Sequence, residues 1–158
     1  MKNKLFRILI LISFSILSAA QLEASESTKS PSKEIFDISE YQGKVVYLDF
    51  WASWCIPCRK SFPWMNEIQA KYKDKSFTIL SINLDSDKAL ADKFLQEVKA
   101  DFLVSYDPEG DVATRFKLKG MPSSFLINKQ GDIVSAHVGF TESKKQKYEQ
   151  AIVKLIDG

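Results

Sequence analysis

Apolar residues come in short blocks separated by polar turns, and the blocks alternate between strand-like and helix-like patterns. Val45-Val46-Tyr47-Leu48-Asp49-Phe50 is nearly continuous apolar sequence, as expected of a central strand covered on both faces. Residues 57–72 carry Phe62, Met65, Ile68 and Tyr72 at helical spacing, and Lys73-Asp74-Lys75 closes that helix. Pro63 lies inside it, removes one hydrogen bond and predicts a kink. Residues 77–83 form the next strand. Asp85 or Ser86 is then placed to cap a helix with Leu90, Phe94 and Val98 on one face. A short strand follows at 102–105, then a turn at Asp107-Pro108-Glu109-Gly110 and a short helix around Val112, Ala113 and Phe116. Lys119-Gly120-Met121-Pro122 breaks the chain before a strand at 123–128. The tight connection Lys129-Gln130-Gly131-Asp132 predicts an antiparallel partner at 133–138. The last helix has the clearest stripe, Tyr148, Ala151, Ile152, Leu155 and Ile156, with Thr141 as its expected N-cap. Ahead of the central strand, Ile35, Phe36 and Ile38 near Tyr41 predict a short edge strand, and Gln42-Gly43-Lys44 a turn. There is no internal repeat and no second domain. Alternating β and α elements predict a three-layer α/β fold with a central mixed sheet.

The N-terminus departs from this pattern. Lys2, Lys4 and Arg7 precede an apolar run from Ile8 to Leu17, and Ser18-Ala19-Ala20 offers small residues for cleavage, with Ala24 as a second point. Residues 1–20 read as a secretory signal peptide. The alternative is an uncleaved anchor, although the apolar run is roughly half of the ~20 residues a bilayer span needs. Residues 21–33 are small, polar and without periodicity, as expected of a flexible linker, and the domain proper is assigned to 34–158.

Composition supports one globular domain. The chain has 158 residues, 45% hydrophobic and 27% charged. Its formal charge of +2 owes itself to the signal region, and setting aside Lys2, Lys4 and Arg7 turns it into −1. A near-neutral domain gives no electrostatic case for nucleic-acid binding.

The candidate chemistry sits between the central strand and the helix after it. The only two cysteines, Cys55 and Cys58, are three positions apart there. They can close a small disulfide ring and open again. At a helix N-terminus, free N–H groups and the helix dipole stabilise a thiolate, so Cys55 is expected to be the exposed, attacking thiol. Cys58, one turn on and more buried, would resolve the mixed disulfide. Three other readings compete. A structural disulfide suits an exported chain, but so short a loop removes little unfolded-state entropy. A metal site lacks its ligands, because the only histidine, His137, is far along the chain. His137 alternates with Val134, Ala136 and Val138 and is expected on the solvent face of an edge strand. A peroxidatic cysteine would need no close partner. Asp49 is the second signal. A carboxyl among Val, Tyr, Leu and Phe is costly unless paired or protonated, and desolvation should raise its pKa. Beneath Cys58 it could accept the thiol proton.

Asp49-Phe50-Trp51-Ala52-Ser53-Trp54-Cys55-Ile56-Pro57-Cys58 resembles the active-site signature of the thioredoxin superfamily. Pro63, Met121-Pro122 before a strand, and the late Gly131 and Gly139 match further features of that superfamily, and the resemblance runs from about Ile35 to Ile156. Within it the chain is most similar to the exported TlpA/ResA-like reductases, through its signal segment and a helix–strand insert around residues 85–106. Two positions depart from that group, which often has Asn in place of Asp49 and Glu in place of Ser61. The resemblance implies a cis Pro122 against a Cys55–Cys58 disulfide, with the Met121 backbone available to a substrate strand. Trp54 and Pro57 would touch substrate beside the cysteines. Trp51 is expected in the core, and Trp64 has no assigned place. No cofactor and no metal are expected.

No histidine separates the two cysteines to stabilise the Cys55 thiolate further, which points to a reductant. The resemblance then implies an extracytoplasmic monomer, periplasmic, either soluble or tethered by its N-terminus. A membrane electron donor of the DsbD/CcdA type would recharge it. Its substrates would be disulfides of exported proteins, including those of cytochrome c biogenesis. The alternatives are a disulfide-forming oxidase or isomerase, and a non-enzymatic metallochaperone.

Overall fold

The computed structural model describes residues 37–158. The expected signal segment and linker, together with Ile35 and Phe36, lie outside the described residues.

Five strands form one mixed sheet in the order β3-β2-β1-β4-β5. In chain order they are β1 (Val45–Trp51), β2 (Phe77–Asn83), β3 (Leu103–Tyr106), β4 (Ser123–Ile127) and β5 (Ile133–Val138). β1 pairs parallel with β2 and antiparallel with β4, while β2–β3 is parallel and β4–β5 antiparallel. The helices are α1 (Ile56–Tyr72), α2 (Lys88–Glu97), α3 (Asp111–Arg115) and α4 (Lys145–Asp157). Helix α2 and strand β3 are the insert expected around 85–106. Among the described residues no helix is long and apolar enough to cross a membrane.

Every residue of β1 is buried, which is why its sequence is apolar throughout rather than alternating. Side chains still alternate between faces. Val45, Tyr47 and Trp51 join a core with Phe62, Trp64, Met65, Ile68 and Tyr72 of α1, Ala91 and Phe94 of α2, and Tyr148 and Ile152 of α4. Val46, Leu48 and Phe50 face the other way, onto Leu80, Ile82, Phe125, Ile127 and Val112 of α3. Trp64 thereby gains a place. It lies edge-on to Tyr47 at 5.6 Å and against Phe140 at 5.5 Å, joining α1 to β1 and to the segment before α4.

Several local expectations are corrected. The predicted edge strand before β1 is, in its described part, a 3-10 turn over Ile38–Tyr41, with Asp37 accepting a hydrogen bond from Ser39 N. Neither Asp85 nor Ser86 caps α2. Asp87 does, accepting from Ala89 N at 2.9 Å. Of the predicted stripe, Phe94 is buried and Val98 packs on the core, but Leu90 is exposed and Ala91 takes the inner place instead. Thr141 precedes a 3-10 turn (Glu142–Lys144) rather than α4 itself, and its hydroxyl bonds to Ser143 instead of a backbone N–H. His137 is not on the solvent face. It pairs across strands with Ser124 and packs on Tyr148 of α4 at 4.3 Å, while Val134, Ala136 and Val138 face outward. Pro63 lies inside helix α1, as expected, and the helix continues past it to Tyr72.

Trp64 fills the space between three elements, so Trp64→Ala should cost about 3–5 kcal/mol in a urea titration. A loss below 1 kcal/mol would show that the gap closes without it.

Candidate active site

The site begins where β1 ends. Cys55 N donates to Ala52 O at 3.0 Å, closing a turn over Ser53 and Trp54 that delivers Cys55 to the start of α1. Cys55 is the N-cap of α1, with extended backbone, and its Sγ accepts from Cys58 N at 3.3 Å. Pro57 stands in the first turn, where its missing N–H leaves no bond unmade. Cys55 and Cys58 are joined in a disulfide. Cys58 is fully buried and Cys55 only 4% exposed. Cys58 is the more buried of the two, as expected, but Cys55 is less open than predicted and belongs to the core cluster, while Trp54 (68% exposed) and Ile56 (72% exposed) on either side of it in the chain face solvent.

Asp49 sits on the same face of β1 as Tyr47 and Trp51, the face whose core includes both cysteines. It is 2% exposed, and its Oδ2 has no hydrogen-bond partner. Burial alone pushes its carboxyl well above the usual carboxylate range. Its paired neighbours across the sheet are Ser81 and Ser124, and Ser124 in turn pairs with His137. Tyr47 Oη donates to Ser124 Oγ at 2.9 Å. Burial first, and then the Asp49 charge, push the Tyr47 hydroxyl well up, so it stays a donor. Burial, aided by Lys147 and Lys144, lowers the His137 pKa, and its Nδ1 is buried without a partner.

The Met121–Pro122 peptide bond is cis. Met121 packs on the core that contains the disulfide. Phe50 pairs with Ser123, so one further step of the register sets Pro122 opposite Trp51. Pro122 O accepts from Gly139 N at 2.8 Å, and Gly139 takes the positive φ of 76° that turns the chain away after β5. Cys55, Cys58, Asp49, Met121 and Pro122 are therefore gathered at one end of the central strands, with Trp54 and Pro57 exposed in front. Trp51 is core, as expected, and its Nε1 donates to Ser81 Oγ at 3.1 Å. Ser61, in the position where relatives often carry Glu, is buried and donates its hydroxyl to Cys58 O at 2.9 Å.

A second set of residues escaped the sequence reading. Asp85 is buried, and its carboxylate accepts from Ser53 N (2.8 Å), Ser53 Oγ (2.8 Å) and Asn83 Nδ2 (2.7 Å). It clasps the turn that carries Trp54 and Cys55. A polar Asn-Leu-Asp run directly after an apolar strand was the available signal, and it was spent on a helix cap.

A reversible disulfide at a helix N-terminus, over a buried carboxyl and beside a cis proline, defines a thiol-disulfide oxidoreductase with a Cys-x-x-Cys active site. The chain belongs to the Redoxin family, whose sequence pattern matches residues 19–152, and so to the thioredoxin superfamily. It is 32% identical over 119 residues to the thiol-disulfide oxidoreductase ResA of Bacillus thuringiensis subsp. konkukian, covering 75% of this chain and 68% of that one. With ResA of Bacillus subtilis it shares 29% identity over 147 residues, covering 88% and 82%. Among solved structures it is similar to a thiol:disulfide interchange protein DsbE from Chlorobium tepidum, at 50% identity and a TM-score of 0.74, covering 75% of this chain and 84% of that one. It is also similar to the exposed lipoprotein thioredoxin Etrx1 of Streptococcus pneumoniae, at 31% identity and a TM-score of 0.66, covering 76% and 91%. The protein is thus a thiol-disulfide oxidoreductase of the ResA/DsbE type.

The raised Asp49 pKa has a signed consequence for stability. The folded protein keeps this proton while the unfolded chain loses it near pH 3.9. The contribution is full below that value and falls as pH rises toward the folded pKa, by about 1.4 kcal/mol for each unit of the gap. Asp49→Asn, which cannot ionise, should therefore be more stable than the native protein at pH 7 and lose that advantage below about pH 4. Urea titrations of the oxidised proteins at both pH values check this, and an Asn variant less stable at pH 7 would contradict it.

Proposed function

We propose that the protein acts outside the cytoplasm as a reductant of disulfides in exported proteins. The observation that carries the direction is the sparse stabilisation of Cys55. Its Sγ accepts one hydrogen bond, from Cys58 N at 3.3 Å, and the intervening Ile56-Pro57 supplies no cation. A thiolate so little stabilised keeps the dithiol form reactive and the potential low.

In this reading the Cys55 thiolate attacks one sulfur of a foreign disulfide and expels the other as a thiolate. Asp49, through the minor ionised fraction that its raised pKa leaves, then takes the Cys58 thiol proton as Cys58 attacks Cys55 Sγ. The second substrate sulfur leaves and takes up a proton, so two electrons pass to the substrate and the Cys55–Cys58 disulfide reforms. Trp54, Pro57 and the Met121-Pro122 loop form the contact surface. The Met121 backbone is offered to an extended substrate segment, a largely sequence-tolerant mode of recognition. Similarity to an exposed lipoprotein thioredoxin and to ResA supports an extracytoplasmic setting. Residues 1–20 act as the export signal or as a tether, residues 21–33 as the linker, and 34–158 as the catalytic domain. The resemblance to the TlpA/ResA-like group supports a membrane donor of the DsbD/CcdA type and apocytochrome c among the substrates.

Two measurements test this. The reduction potential should fall nearer to about −270 mV than to the −120 mV or so of a strong oxidant, and a value near the latter would overturn the direction. Cys58→Ser in cells should trap partners on Cys55. Apocytochrome c among them names the pathway, and an empty trap counts against the attacking role of Cys55. In vitro, Asp49→Asn should slow release of substrate from the mixed disulfide by about a hundredfold or more at pH 7, followed by quenched-flow trapping. An unchanged rate would remove Asp49 from the proton transfer.

A further inference from the structure

The turn before Cys55 is held by a charge that the mechanism above does not use. Asp85 follows β2, and Leu84 N donates to Trp51 O at 2.9 Å, which lays the segment after β2 alongside the end of β1. The Asp85 carboxylate there takes both donors of Ser53, the first central residue of the Ala52–Cys55 turn. Asn83 completes the arrangement from both directions. Its Nδ2 donates to Asp85 Oδ2 at 2.7 Å, and its Oδ1 accepts from Asp85 N at 3.0 Å. Asn83 O also accepts from Asp107 N at 2.8 Å, so the clasp is anchored to the segment after β3 as well. The carboxyl is 4% exposed and takes three donors, so it is held in place rather than free at the surface.

Only Trp54 separates Ser53 from Cys55. We propose that Asp85, through Ser53, is a positioning residue that sets the acidity of the Cys55 thiol. Its hydrogen bonds fix the turn that brings Cys55 to the helix N-terminus, and its negative charge opposes the thiolate that forms there. The helix N-terminus pulls the thiol pKa down and Asp85 holds it up, so the site stays reducing. This rests on the assignment of Cys55 as the attacking thiol. The other charged groups on the flanking stretches are the buried Asp49 of β1, the buried Asp107 after β3, Asp87 and Lys88 at the start of α2, and Arg59 and Lys60 of α1. Arg59 pairs with Glu97 of α2 at 3.0 Å, and Lys60 is exposed.

The test is the pH dependence of Cys55 alkylation in the reduced full chain, with the modified cysteine mapped by mass spectrometry. Asp85→Asn keeps the size and one acceptor but removes the charge. It should lower the midpoint by roughly one pH unit and make the reduction potential more oxidising. Ser53→Ala keeps the charge and strips one donor from it, so the midpoint should stay or rise. A midpoint unmoved or raised by Asp85→Asn overturns the proposal. A fall with Ser53→Ala equal to that with Asp85→Asn also overturns it, because loosening the turn would then be the cause. Should Asp85→Asn not fold, the unaltered protein decides the matter: the Asp85 side-chain carboxyl carbon should shift with the Cys55 midpoint, and a flat signal refutes the coupling. Alkylation that maps to Cys58 first sinks the assignment of the attacking thiol instead, and leaves the clasp as geometry.

Discussion

Burial of β1 on both faces is the constraint on which the rest depends. The strand lies in the middle of the sheet, between a parallel and an antiparallel partner, with helices on either side. That position makes Asp49 a carboxyl without water, which raises its pKa well above the usual carboxylate range. It also fixes the direction in which the chain leaves the sheet at Trp51. The turn and helix that follow put the disulfide over the same face. A strand with one solvated face would give neither the protonated carboxyl nor the fixed exit.

The site is assembled from several strand ends. The end of β1 supplies Asp49 and the turn to Cys55, and the end of β2 supplies Asp85, which holds that turn. The start of β4 supplies the cis proline, tied to the end of β5 through Gly139. Apart from Asp49, which stays in register between Ser81 and Ser124, each contribution lies just beyond a strand end, where the backbone stops serving the ladder and can serve the site. The layout splits recognition from chemistry. Trp54 and Ile56 are open to solvent, while Cys58 and Asp49 are sealed beneath them.

Much of this was legible in the residues. Runs such as 45–50 and 77–83 are apolar because both faces are covered, so strand identity follows from composition alone. The Cys-x-x-Cys pair, Asp49 and Met121-Pro122 were legible because each is costly or unusual where it stands. What escaped was decided by partners distant in sequence. Asp85, Ser86 and Asp87 are three adjacent candidates for one cap, and only the position of Ser53 shows that Asp85 is taken by the turn. For β5, Ile133 and Val134 are both apolar, and the irregular pairing at Leu126/Ile127 removes parity as a guide. Its inner face is settled by Tyr148, which packs on His137, while Val134, Ala136 and Val138 stay exposed. Leu90 and Ala91 are both apolar and adjacent at the start of α2, and only the packing shows that Ala91 is the one turned inward with Phe94 and Val98.

The central claim is that Asp49 is a buried proton store beneath the disulfide. Its protonation can be read directly from the carboxyl stretching band in infrared difference spectra of oxidised protein, assigned with Asp49→Asn. The account predicts a protonated band that persists at pH 7. A carboxylate band already complete at pH 5 would contradict it.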